Sequence, residues 1–485
     1  MKRFTALITA VLLVFLSGCG TPKQAEKKEP SFKDKYAGQF RVGFSRVGIL
    51  PDDPVPLSGY GNNANRISTG YLDEIVFDAI AVSDKDNNTL LLCAYDGIGI
   101  SNEAPTEDLL NAIKKATGLT EHNIVFTASH SHSSPDPDYS SMRAVQRYNA
   151  KVKKKAAEAA VQALNSRVPA KMYYGSTETR NLNFIRHYWG KKTTGEVVAY
   201  GDNHNNVGFT GTLTAHITEN DPTLHIIKFE REGEKDVYFT SFRAHPKFTG
   251  VHGERKDISA DWIGAFREEF EKATENSYCS YFQGAAGNMN ATVYMDGETL
   301  TEDYHEYAKL LNGYAKTAAK RLTEVNTDRV AGKRVTVTAE INHDGDSMVP
   351  QATAVVAWWK SHDEFSGSIK EAQKYGLYSQ FHANAILRNA KMGKTGTIKA
   401  TAFRIGDIGF SFVPYEQFDT NGAAIEDASP FKYTVSVAYT NGKFAYIPSN
   451  YGYEYGCYEA DITRYAAGTG EKVADALIEQ LKKLK

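Results

Sequence analysis

Ile124-Val-Phe-Thr-Ala-Ser-His-Ser-His-Ser-Ser-Pro135 is an apolar run of strand length that ends on two histidines and is closed by a proline. Residues 124–128 are too few for a helix and rich in β-branched side chains, so the pattern predicts a buried strand. Before it, residues 106–117 carry helical periodicity. After it, residues 144–165 are dominated by Ala and Lys, with Val161 and Leu164 on the apolar side of a helix. Strand-like runs at 39–48, 75–82 and 89–95 precede this group, and the turn-rich stretch 51–65 contains Ser58-Gly-Tyr-Gly61. Strand–helix alternation continues through 224–229, 237–244, 258–273, 280–282 and 303–325. The expected fold class is α/β, a mixed β-sheet layered with α-helices.

A second stretch opens near residue 330 with a strand at 335–341. Residues 354–389 are expected to be mainly helical, 396–413 to form two strands meeting at Gly406-Asp407, 433–439 another strand, and 471–484 the last helix. No Pro- or Ser-rich linker and no repeat separates the halves. Residues 39–485 are expected as one catalytic region, with a soft sub-boundary near 330 or none. The chain has 485 residues, 41% of them hydrophobic, which supports one large core or two ordinary ones and excludes a disordered chain. Its 56 basic and 58 acidic residues leave a net charge of −2 without a basic stripe, so nucleic acid is not an expected partner.

Lys2 and Arg3, followed by the apolar run 6–16, have the form of a signal peptide, the run being short for a membrane span. It ends in Leu16-Ser17-Gly18-Cys19, which resembles the lipobox of bacterial lipoproteins, where the cysteine is lipidated and becomes the mature N-terminus. Residues 1–18 are thus expected as a signal peptide, Cys19 as the lipid carrier and 19–38, rich in Lys, Glu, Pro and Gln, as a solvated tether. The expected product is an extracytoplasmic lipoprotein anchored to a membrane by its N-terminal lipid. Three cysteines remain, Cys93, Cys279 and Cys457, and an odd number cannot all pair within the chain. Cys93, inside Thr89-Leu-Leu-Leu-Cys-Ala-Tyr95, is expected as a buried free thiol. The lack of a Cys-x-x-Cys pair argues against thiolate zinc sites and thioredoxin-like chemistry.

In an extended chain side chains repeat with period two, so His130 and His132 are expected on one side of the sheet. Two imidazoles sharing a face at a strand end can bind a metal, or one can bind while the other moves protons; an isolated His-x-His is otherwise a hydrogen-bonded loop pair. Tyr238-Phe-Thr-Ser-Phe-Arg-Ala-His245-Pro246 again places a histidine at the C-terminal end of an apolar stretch, and the proline stops the ladder. Ligands of open α/β sheets gather at the carboxyl ends of strands, so the two segments form one constellation. Asp407-Ile-Gly-Phe-Ser-Phe-Val-Pro414 delivers Tyr415-Glu416, and Val435-Ser-Val-Ala-Tyr439 leads into Phe444-Ala-Tyr446. The expected metal site therefore lies at strand C-terminal ends. Glu416 has a second reading, as a carboxylate complementing a helix N-terminus.

The segments Ser129-His-Ser-His-Ser-Ser-Pro135, Arg243-Ala-His-Pro246, Gln283-Gly-Ala-Ala-Gly-Asn-Met-Asn290, Val413-Pro-Tyr-Glu416 and Tyr446-Ile-Pro-Ser449 resemble, in order and context, motifs of the neutral/alkaline non-lysosomal ceramidases. Ser58-Gly-Tyr60, Asp96 and Ile258-Ser-Ala-Asp-Trp-Ile-Gly264 are supporting matches. The resemblance implies a zinc ion held by His130, His245, Glu416 and Tyr446, with His132 beside it as an acid/base group or transition-state donor. It also implies catalytic roles for Tyr458, in a Tyr458-Glu459 pair, as donor to a developing oxyanion, and for Arg186 as an active-site arginine. Tyr458 equally fits packing among Tyr451, Tyr453 and Tyr455, whereas Arg186 fits a solvent-facing position slightly better. Asp96 and Asn290 are the substrate-binding candidates. The family's glycine-rich loop usually reads Gly-Asp-Val-Ser-Pro, whereas Gly287-Asn-Met-Asn-Ala291 puts Asn290 where the serine stands, so no serine nucleophile is available there. The family's common C-terminal immunoglobulin-like domain is not expected here.

The expected function is zinc-dependent hydrolysis of an N-acyl (amide) linkage in a lipid or small molecule, with a metal-activated water as nucleophile. Two alternatives stand beside it. One is a metal-containing, substrate-binding lipoprotein without turnover, which Asn290 permits; the other is an ester or carbohydrate-amide hydrolase on the same site.

Overall fold

Strand β1 (Arg41–Gly48) pairs antiparallel along its whole length with β2 (Val76–Ser83), from Arg41 opposite Ser83 to Gly48 opposite Val76. β2 pairs antiparallel with β3 (Thr89–Tyr95), and β3 pairs parallel with β4 (Ile124–Ala128). A parallel step needs a crossover, which α1 (Glu103–Thr117) supplies before α2 (Arg143–Asn165) follows β4. The unit is three antiparallel strands, a helix, a parallel strand and a helix.

This unit occurs three times in the computed structural model, which describes residues 34–485 apart from 62–64, 202–208, 251–252, 294, 296–298 and 363–364. In the second copy β5 (Val168–Glu178), β6 (Thr223–Arg231) and β7 (Asp236–Phe242) are antiparallel, α3 (Asp261–Ala273) crosses, β8 (Ser277–Gln283) runs parallel to β7, and α4 (Tyr304–Ala319) follows. A short β9 (Thr323–Val325) also pairs with β5. In the third copy β10 (Val330–Glu340), β11 (Thr395–Ile405) and β12 (Ile408–Phe412) are antiparallel, and helices α5 (Val349–His362), α6 (Phe365–Lys374) and α7 (Gln380–Asn389) are inserted between the first two. Helix α8 (Asp419–Asp427) then crosses to β13 (Tyr433–Val437), parallel to β12, and α9 (Thr469–Leu484) closes the copy. The first two copies join through β1 and β5 into one sheet of order β8-β7-β6-β5-β1-β2-β3-β4, while the third keeps its own four-stranded sheet.

Each copy buries one face of its strands under its own helices and the other against the remaining copies. In β2, Phe77, Ala79 and Ala81 pack with Leu110 of α1 and Ala160 of α2. Ile80 and Val82 face a cluster that also holds Phe239 and Phe282 of the second copy and Phe403, Phe410 and Val435 of the third. Burial on both faces explains why these strands are nearly continuous apolar runs. Because that cluster crosses residue 330, residues 32–485 form one compact unit and no core boundary falls there. The described residues begin at Asp34, so the expected signal peptide and Cys19 lie outside them.

Of the expected tether, 19–38, only residues 34–38 are described. Asp34 is ion-paired with Arg41 and Arg167, so the chain is already docked before residue 39. Cys93, Cys279 and Cys457 are all buried and free. Among the described residues no helix is long and apolar enough to cross a membrane.

Candidate metal centre

The ends of the third and fourth strands of all three copies are stitched to one another. Thr127 at the end of β4 bridges Thr440 beyond β13, Gly284 beyond β8 bridges Val437, and the backbone N–H of His132 donates to the Pro246 carbonyl at 3.0 Å. Four candidates sit just beyond such an end, His130 and His132 after β4, His245 after β7 and Glu416 after β12, while Tyr446 follows β13 in a short strand Tyr446–Ile447.

His130 and His132 do converge, but strand alternation is not the cause. β4 stops at Ala128, and His130 takes a left-handed backbone conformation with φ 67°, one that histidine tolerates better than most residues. Its N–H donates to the Gly97 carbonyl at 2.7 Å, and its Nδ1 lies 2.9 Å from the Ile98 carbonyl. His245 is held in the same way, with Nδ1 2.8 Å from the Met289 carbonyl. A carbonyl only accepts, so in both rings the proton is assigned to Nδ1 and the lone pair to Nε2. Those two Nε2 atoms face one carboxylate oxygen, Oε2 of Glu416, at 3.2 and 3.5 Å.

All three residues are buried, and neither Glu416 Oε2 nor His245 Nε2 has a hydrogen-bond partner. Leaving such acceptors unpaired away from water is costly, and acceptors converging on one point call for a cation between them. Two imidazoles with Nδ1 tied to the backbone and one carboxylate form a donor set suited to zinc, with the outer hydrogen bonds such ligands normally have. Glu416 lies before α8, so its carboxylate serves this cluster and not that helix N-terminus. Burial pushes the Glu416 carboxyl up, but His130, His245 and Lys443 outweigh it and hold it well below the usual range. Burial, reinforced by His130 and Arg186, pulls His245 down to about 4 against the opposing pull of Glu416.

His132 differs from the other two histidines. It is only partly buried, its Nε2 lies 3.4 Å from His130 Nε2, and its Nδ1 has no partner. Its recessed position, with His130 and His245 alongside, drives its pKa well below the ordinary imidazole value. Gly59, at φ 111°, backs the ring so closely that a Cβ there would stand 2.6 Å from His132 Cγ. Tyr446 is paired with Glu416 across a two-residue parallel bridge, and burial followed by the Glu416 charge raises its phenol well above normal. Tyr458 packs edge-on to Tyr446 at 6.0 Å, and Phe381 of α7 lies 6.4 Å beyond it. Asn290 bridges His245 and is buried, with its Oδ1 unpartnered.

Two expectations require correction. Arg186 is 7% exposed and faces inward: it pairs with Glu459 and reaches the Tyr446 hydroxyl at 3.4 Å. Asp96 has no oxygen to offer a substrate, because both are taken at 2.7 Å by Arg267 of α3 and one also accepts from the Val76 N–H. Arg243, at the equivalent place in the second copy, pairs with Asp419 and Glu426 of α8, each at 2.7 Å. In both cases the residue after the third strand locks onto the crossover helix of the next copy.

Sequence reasoning also missed supporting residues. Tyr439 stacks on His130 at 4.2 Å with its hydroxyl buried and unpartnered, Arg66 donates to the His132 carbonyl at 2.7 Å, and Lys443 stands 3.8 Å from Glu416 Oε1. A second cluster of metal-type donors, His187, Cys457 and Glu459, is of another kind. Its carboxylate is already satisfied by Arg186 and His187, and a cation there would abut a guanidinium.

No protein-family model matches the chain, and no curated protein matches it. Two solved structures share its fold. The neutral ceramidase from Pseudomonas aeruginosa superposes with a TM-score of 0.66 at 16% identity, over 92% of this chain and 75% of that one. A ceramidase complexed with C2 gives a TM-score of 0.67 at the same identity and coverage. The chain therefore has the neutral ceramidase fold.

Proposed function

We propose that this chain is a zinc-dependent hydrolase of N-acyl amide linkages. The observation that carries the reading is the pair of backbone-locked imidazoles, His130 and His245, presenting lone pairs to the unpartnered Oε2 of Glu416. These three residues, with Tyr446, would hold the ion. When bound, zinc supplies a Lewis acid and makes water acidic enough to act as a nucleophile near neutral pH. The fold shared with two ceramidases supports an amide of a lipid as the substrate class.

The chain's own groups have distinct tasks in this account. His132, more accessible than its two neighbours and depressed in pKa, takes up a proton at Nε2 and passes it to the leaving amine. The Tyr458 hydroxyl donates to the oxygen that gains charge in the tetrahedral transition state. The Asn290 amide, with a free carbonyl oxygen beside His245, orients the substrate amide N–H. Arg186 places a positive charge on the hydroxyl of Tyr446.

The experiment is incubation with N-acyl-sphingoid and short N-acyl amine panels, with and without chelator. Amine release that chelator abolishes and zinc restores supports the reading; release unaffected by chelator overturns it. Export and lipidation at Cys19 are proposed with it, and are tested by labelled-lipid incorporation that Cys19→Ser abolishes.

A further inference from the structure

We propose that His187 is a positioning residue for this centre, the buried link that holds Arg186 against Tyr446 and ties both to the loop that orients His245. The proposal rests on the metal reading above.

His187 is 1% exposed and joins two walls of the site through hydrogen bonds whose direction can be assigned. Asn288 belongs to the glycine-rich loop and is the neighbour of Met289, whose carbonyl holds His245. Its Oδ1 accepts from the Asp419 N–H at 2.8 Å, so its Nδ2 is the atom donating to the Tyr451 hydroxyl at 2.8 Å. That hydroxyl then donates to His187 Nδ1 at 3.0 Å, which leaves the imidazole proton on Nε2. Nε2–H donates to Glu459 Oε2 at 2.9 Å, and Glu459 Oε1 accepts from Arg186 Nε at 2.6 Å. Arg186 ends the chain, with Nη2 3.4 Å from the Tyr446 hydroxyl and the guanidinium 5.6 Å from the centre of its ring. Donation thus runs from Asn288 through Tyr451 and His187 to Glu459, and Arg186 meets it there from the other side.

The arrangement assigns His187 a task that packing alone does not require. Glu459 is fully buried, so without the Nε2–H its Oε2 would be an unpaired carboxylate oxygen in a site that excludes water. Relieving that loss means turning the carboxylate, and the guanidinium aimed by Oε1 turns with it. The hydroxyl of Tyr446 then loses the guanidinium that fixes its direction toward the centre. His187 carries the opposite tautomer from His130 and His245, as expected of an imidazole that relays position and does not ligate.

The test uses Cu2+ in place of zinc in the full chain, because a phenolate bound to Cu2+ gives a visible charge-transfer band. Tyr446→Phe supplies the blank. His187→Ala is expected to weaken the Tyr446-dependent band at least twofold and Cu2+ affinity on the order of tenfold. His187→Gln, whose amide can accept from Tyr451 and donate to Glu459, should restore most of both. Tyr451→Phe cuts only the far end of the chain. It leaves His187 Nδ1 and Asn288 Nδ2 unpartnered and so lowers the melting temperature. It keeps the Glu459 contact, however, and should weaken the band in folded protein, so the test survives if His187→Ala fails to fold. A wild-type band in Tyr451→Phe, or in folded His187→Ala, overturns the proposal. Absence of any Tyr446-dependent band in the wild type overturns the ligand set instead, and the proposal with it.

Discussion

His130 Nε2 stands 3.2 Å from Oε2 of Glu416, and with the imidazole proton held at Nδ1 by Ile98 neither atom has a hydrogen to give the other. The two residues come from different copies of the repeated unit. On the proposed metal reading a cation lies between them, so removing a ligand and removing the metal should have the same effect.

Chelation should lower the melting temperature of the wild type and leave that of His245→Ala unchanged. At 100-fold excess of free ion over the dissociation constant, binding adds about 2.7 kcal/mol to the folded state. Differential scanning calorimetry with and without zinc reads this directly. Equal shifts in wild type and variant would place the ion elsewhere.

Asp96 and Arg267 are predicted to act on stability alone. Asp96→Ala leaves a guanidinium buried without its partner and should cost about 3–5 kcal/mol in urea unfolding. Zinc content per folded molecule should stay at the wild-type value. Pairing the change with Arg267→Met should recover part of the loss, and a double-mutant cycle measures how much.

The glycine-rich loop touches the Glu416 segment through backbone. A Cβ on Gly287 would stand 2.5 Å from the Glu416 carbonyl oxygen and 2.9 Å from that of Gln417, neither of which can swing aside like a side chain. Gly287→Ala should shift the Glu416 segment and reduce zinc affinity by about tenfold or more, the scale of disturbed outer-shell contacts. Competition with a chromogenic chelator measures the change, and undiminished affinity would show that the segment yields.

Acid stability follows from two buried carboxylates. Burial raises both, but Arg186 and His187 hold Glu459 at about 2, and Arg243 and His225 hold Glu426 at about 2. An unfolded glutamate titrates near 4.3, so each group contributes stability that is complete above about pH 4.5 and is lost as pH falls toward 2. Urea midpoints of metal-free protein should therefore fall steeply between these values. Glu426→Gln should flatten part of that slope; an unchanged slope would contradict the assignment.

Much of the fold was legible because strands buried on both faces leave continuous apolar runs, as in residues 89–95 and 124–128, whose ends match β3 and β4. β5 escaped because Pro169, Lys171 and Gly175 interrupt its pattern. The threefold recurrence of the unit also escaped, since a core position is satisfied by any apolar side chain of suitable volume and topology leaves no repeated letters. At the site, motif order brought out residues that converge, but local pattern gave the wrong cause for the His130 and His132 pairing. It could not distinguish Asp96, consumed by Arg267, from a residue facing substrate. His187 carried no signal beyond its place after Arg186, because its meaning depends on Tyr451 and Glu459, far away in the chain.

The most direct measurement is zinc stoichiometry by elemental analysis on the same samples assayed for amine release from an N-acyl-sphingoid substrate. The account predicts about one zinc per chain and chelator-sensitive release in the wild type, with both lost in His130→Ala, His245→Ala and Glu416→Gln. Release that persists in a zinc-free variant would contradict it.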